Sequence, residues 1–89
     1  MLITIEKIND TTFKVTVTSR QTTTHTVTVT PEYKAKLAAL NVATETLVEK
    51  SFEFLLEREP NTSILREFDL KVIQTYFPEY ERTLRQLLS

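Results

Sequence analysis

Apolar and polar residues alternate along the first thirty positions and then recur at helical spacing. From Thr12 to Thr18, Phe13, Val15 and Val17 fall on one side, with Lys14, Thr16 and Thr18 on the other. That is the period of a half-buried strand. From Thr24 to Thr30 the pattern repeats, with His25, Val27 and Val29 opposed to Thr24, Thr26, Thr28 and Thr30. Leu2 to Ile8 is mainly β-branched and places Ile3 and Ile5 on one face, Leu2 and Ile8 on the other. Asn9-Asp10 predicts a two-residue hairpin turn, because both side chains tolerate positive φ better than other non-glycine residues. The expected product is a three-stranded antiparallel meander with one apolar and one Thr-rich face, too small to stand in water without a cover.

Beyond Thr30 the period becomes helical. Thr30-Pro31-Glu32 supplies an N-cap, a proline for the first helical position and an acid for the first turn. Tyr33, Leu37 and Leu40 follow in phase, and Asn41 is the expected end of a helix of about ten residues. Thr44 to Glu59 is the long central helix. Leu47, Val48, Phe52, Phe54, Leu55 and Leu56 cover an arc of roughly 200°, wider than the stripe of a surface helix. Such a helix needs neighbours on two flanks. It starts at Thr44 or Thr46, the latter forming a capping box with Glu49, and Pro60 stops it. Asn61-Thr62-Ser63 predicts the cap of a short helix from Ile64 to Phe68. Asp69 caps another carrying Leu70, Ile73 and Phe77, and Pro78 opens a last one with Tyr80, Leu84, Leu87 and Leu88 in phase.

The fold class expected is therefore α+β: an N-terminal three-stranded antiparallel meander packed against a C-terminal set of four to five helices with one long central helix. Residues 1–89 read as a single domain, with the sheet in 1–30 and the helical part in 31–89. At 40 % hydrophobic and 26 % charged, with the apolar residues patterned, the chain has the composition of a folded domain. Its net charge of −1 gives no general attraction to nucleic acid or acidic membranes. There is no cysteine, hence no disulfide, thiolate nucleophile or Cys-ligated metal site. Glycine is also absent, which excludes a P-loop, a dinucleotide fingerprint and a nucleophile elbow in standard form. No apolar run is long enough for a membrane span, and MLITIEKIND has neither the basic nor the apolar region of a signal peptide. A cytoplasmic location is expected.

Candidate chemistry is sparse. His25, the only histidine, falls on the inward face of its strand. A general base or ligand there would need a partner that the local sequence does not supply, so a packed histidine is expected. Glu49, Glu53 and Glu57 recur at i, i+4 and i+8 on the polar side of the central helix, where like charges repel. They read as a solvated face or as a docking ridge for a basic protein partner. Eleven threonines among the first thirty residues suit an exposed strand face because Thr is β-branched. Tyr76, Phe77 and Tyr80, with Arg82 and Arg85, read as core and rim packing around Pro78 rather than a stacking surface for bases. No catalytic residues, cofactor or metal are expected. The function expected is that of a small, non-enzymatic protein–protein interaction module whose partner, and whose state as monomer or homodimer, the sequence leaves open.

Two resemblances add to this reading. The strand THTVTVT, the helix TPEYKAKLAAL, the Asn41-Val42 turn and the helix TETLVEKSFEFLLERE, Thr24 to Glu59, resemble the ribbon-helix-helix DNA-binding fold. In that family two strands pair across a dimer and their outward side chains read the major groove. The resemblance implies Thr24, Thr26 and Thr28 as DNA contacts and a dimeric regulator or antitoxin as the alternative function. The block SFEFLLEREPNTSILREFDLKVIQTYFPEYE, Ser51 to Glu81, resembles a group of small uncharacterised prokaryotic proteins. It implies no activity and no site residues.

Overall fold

The structure, a computed structural model, describes residues 1–37 and 41–88. It is α+β, with a four-stranded mixed sheet and four α-helices among the described residues. Strands β1 (Leu2–Lys7), β2 (Thr12–Thr18) and β3 (Thr22–Thr28) form the expected antiparallel meander. Helix α1 (Pro31–Lys36) and helix α2 (Thr44–Leu56) follow, then a single 3-10 turn at Asn61–Ser63. Strand β4 (Glu67–Asp69) lies parallel to β3, and helices α3 (Val72–Tyr76) and α4 (Tyr80–Leu88) complete the order.

Strand β4 corrects two expectations, the three-stranded antiparallel sheet and the helix from Ile64 to Phe68. Five residues are too few to make a helix stable without packing, and packing here favours an extended chain. Phe68 sits beside Val27 in the ladder and turns inward, with its ring centroid 6.1 Å from that of Phe52. The sheet order is β1-β2-β3-β4, so β3 is paired with β2 along one edge and with β4 over Thr26–Thr28 on the other.

The first turn is also longer than two residues. A two-residue turn at Asn9-Asp10 would set Ile5 opposite Lys14 and turn one strand's apolar set to the wrong face. The observed register pairs Ile5 with Val15 and Ile3 with Val17 instead. Asn9 still shapes the turn, its Oδ1 accepting from the Thr11 amide at 3.0 Å.

Helix α1 begins as expected, with the Thr30 hydroxyl accepting from the Tyr33 amide at 3.1 Å and Pro31 in the first turn. Tyr33 and Leu37 are buried. Leu40 and the expected helix end preceding Asn41 lie outside the described residues. Neither Thr44 nor Thr46 caps α2. Ala43 holds that position with extended backbone, and its carbonyl accepts from Thr46 and Leu47. The helix ends at Leu56, short of Glu59, and a further turn carries Arg58 and Glu59 back to the Leu55 carbonyl. Asp69 closes β4 while its Oδ1 accepts from the Lys71 amide at 3.2 Å, leaving Lys71 at the cap of α3. The last helix starts at Tyr80, two residues beyond Pro78, and Leu87 is exposed although Tyr80 and Leu84 are buried.

The wide apolar arc of α2 is filled on two sides. Phe52 faces the sheet, between His25 at 5.4 Å and Phe68. Phe54 faces the C-terminal helices, with Phe77 at 5.9 Å and Tyr80 at 5.2 Å, both edge to face. Ser51 lies between these flanks. Its hydroxyl donates to the Leu47 carbonyl at 2.8 Å and so accepts from the Tyr80 hydroxyl at 2.7 Å. Burial pushes the Tyr80 phenol well above its ordinary value, and it stays the donor. No helix among the described residues is long and apolar enough to cross a membrane.

Candidate functional site

His25 is buried, and both ring nitrogens are engaged. The Leu65 carbonyl, 2.8 Å from Nδ1, can only accept, so Nδ1 carries the proton. Nε2 then accepts from the Thr23 hydroxyl at 2.8 Å. Thr23 in turn accepts from Asn61 Nδ2 at 3.0 Å, and the same amide donates to the Gln21 carbonyl at 2.9 Å. This one-way chain ties the β2–β3 turn to the segment between α2 and β4. Through these bonds the imidazole joins Thr23 to the Leu65 carbonyl.

Glu49, Glu53 and Glu57 do line the polar side of α2. Glu49 is half-buried, Glu53 and Glu57 are exposed. Lys50 lies 3.4 Å from Glu53 and Arg58 3.8 Å from Glu57, so the ridge is partly matched by its own cations. Thr24, Thr26 and Thr28 stand on the sheet face away from α2, beside Thr16, Lys14 and Thr12 of β2. Thr26 and Thr28 also flank Glu67 and Asp69 of β4, so acids border that face.

The aromatic and basic residues near Pro78 separate. Tyr80 is core, Phe77 is half-buried and Tyr76 is 66 % exposed. Arg85 donates to the Lys36 carbonyl at 3.0 Å and lies 4.0 Å from Glu81. Glu81 also accepts from the Tyr33 hydroxyl at 2.9 Å and faces Lys36 at 3.6 Å. Burial first, then that hydrogen bond, pushes the Tyr33 phenol well above its ordinary value. A concavity of about 320 Å³ lies over this cluster, where Glu81 is matched by Lys36, Arg85 and the Tyr33 hydroxyl, with Lys71 also at its lining.

A different concavity is open, and the sequence reading did not find it. It is a groove of about 330 Å³ between the end of α2, the segment before β4, and α3. Leu55, Ile64, Phe68 and Ile73 make its floor, and all four are buried. Leu65, 49 % exposed, and Tyr76, 66 % exposed, stand at its walls. Among the described residues Glu59 is the one charged residue lining it. Two signals were present in the chain. Leu55 and Glu59, and Val72 and Tyr76, are i, i+4 pairs, which places each pair on one helical face.

Glu59 differs from the other acids. Among the described residues its carboxylate has no hydrogen-bond or ion-pair partner. The adjacent Arg58 is engaged elsewhere, with Nε 3.2 Å from Glu79, Nη1 2.9 Å from the Phe54 carbonyl and its guanidinium 3.6 Å above the Phe54 ring. A backbone hydrogen bond at Glu79, then Arg58, hold the Glu79 carboxyl below its ordinary value. Burial against the groove instead holds the Glu59 carboxyl above its own. The folded chain therefore binds that proton more tightly than the unfolded chain does. Glu59 lowers stability once pH rises above its unfolded value, and acid relieves the cost. Glu59→Gln is expected to melt higher than wild type at neutral pH, the difference vanishing below about pH 3.5. A pH-independent difference in melting midpoint would exclude this effect. Comparisons with family models, curated proteins and solved structures found no match to the chain.

Proposed function

We propose that the chain is a small, cytosolic, non-enzymatic protein-binding module, and that the groove beside α3 receives an apolar segment of another protein. The observation that carries this reading is the exposure of Leu65 and Tyr76 at the walls of an apolar, open groove. Side chains of that size stay in water at a cost of about 1.5–3 kcal/mol each when compared with full burial. A partner segment would recover part of it. The Glu49/Glu53/Glu57 ridge, with Lys50 and Arg58 against two of its members, is the weaker candidate surface. The ribbon-helix-helix alternative needs a strand free to pair across a two-fold axis, whereas β3 has β2 along one edge and β4 on the other over Thr26–Thr28. Its strand also carries no Arg or Lys for phosphate contact.

Selection of short random peptides on the wild-type chain tests the proposal. The selected peptides are expected to lose affinity for a Leu65→Ser/Tyr76→Ser variant that melts as wild type does, and to keep it for a Glu53→Lys variant. Equal binding to wild type and to the groove variant would reject the groove. Loss with Glu53→Lys alone would move the surface to the ridge.

A further inference from the structure

Among the described residues nothing meets the Glu59 carboxylate in that groove. A half-buried carboxylate with no partner works against folding, and an apolar or amide side chain at the same place would not. The cation next to it in sequence, Arg58, is spent on Glu79 and the Phe54 carbonyl. Dehydration by apolar neighbours also strengthens any ion pair that does form, because the local dielectric falls. The groove thus joins two demands: apolar contact along Leu65 and Tyr76, and a positive charge at the α2 end.

We propose that the groove is selective for a peptide segment that sets a lysine or arginine against Glu59 while a bulky apolar side chain beside that cation packs between Leu65 and Tyr76. This rests on the groove being a protein-docking surface. A peptide is favoured over a compact small molecule because the groove is an open trough. It is also floored by Phe68 of β4, the edge strand of the sheet among the described residues. Extended segments lie along such edges, and the pockets beside them choose the side chains.

The probe is the tightest peptide from the random-peptide selection, measured by fluorescence polarisation against wild type and Glu59→Gln. The peptide is expected to carry Lys or Arg next to Leu, Phe or Trp. Replacing its cation by norleucine should weaken binding about tenfold or more, and so should Glu59→Gln. The two changes together should cost little more than either alone, since both remove one pair. A Glu59→Lys chain should in turn prefer the peptide whose cation is replaced by glutamate. Additive losses, or peptides that bind in the groove without a cation, would overturn the role of Glu59 while leaving the docking surface intact. No selected peptide sensitive to Leu65→Ser/Tyr76→Ser would overturn both. Concentration-dependent dimerisation abolished by that double variant would assign the groove to a second copy of the chain and overturn the peptide proposal.

Discussion

Phe52→Ala is expected to destabilise the fold by about 3–5 kcal/mol, a large part of a small domain's stability. The ring is fully buried where helix meets sheet, 5.4 Å from His25 and 6.1 Å from Phe68. Its loss removes apolar contact and leaves a cavity that neighbours on three elements cannot close together. α2 is held on its other flank by Phe54 against Phe77 and Tyr80. β3 is held by ladders on both sides. Partial collapse is therefore resisted, and the cost should lie toward the upper end. A thermal melt should fall by more than about 10 °C. A midpoint unchanged within a degree or two would show that the sheet and helices do not meet through Phe52.

Asn61 gives the second large effect. Its amide nitrogen has two hydrogens, and the Gln21 carbonyl at 2.9 Å and the Thr23 hydroxyl at 3.0 Å take them, with the Val17 carbonyl more distant at 3.4 Å. Asn61→Ala removes a buried donor and leaves these part-buried acceptors without it, and about 1–3 kcal/mol should be lost. Asn61→Asp should be worse at neutral pH despite its matching shape. A carboxylate can only accept, and it would face carbonyl oxygens. That variant's carboxyl would have a folded pKa above its unfolded value, so its penalty should be present at neutral pH and shrink as pH falls toward about 4. Urea denaturation of both variants across pH checks the assignment. An Asp variant as stable as wild type at pH 7 would mean that the amide does not hold the turn.

Much of this architecture was legible in residue order. Phe13, Val15 and Val17 against Val27 fixed which sheet face is covered, and the 200° arc of α2 required the two flanks now filled by the sheet and α4. The inward position of His25 was also readable. Its partners were not, because Thr23 looks like one more strand threonine and Leu65 contributes only a carbonyl. β4 escaped because Glu67–Asp69 is too short to display a period, and its partner strand is remote in the chain. The groove escaped for a related reason. Leu65 falls inside the stretch expected to be helical and Tyr76 read as core or rim packing, whereas both stand in water beside β4 and α3. Asn61 read as a helix cap, since local sequence carries no trace of its bonds to a turn far upstream.

The parallel pairing of β4 with β3 is expected to be the last ladder to close. The ladders of β1 with β2 and β2 with β3 join neighbours along the chain and close short loops. The β3–β4 ladder must close around both α1 and α2, and that loop entropy is spent before any pair of the ladder forms. In a chain where that ladder is still open, the ground on which Leu65, Phe68 and Tyr76 meet does not exist. A partner that reads this groove reads only the finished fold, and binding becomes a report that the last strand has closed.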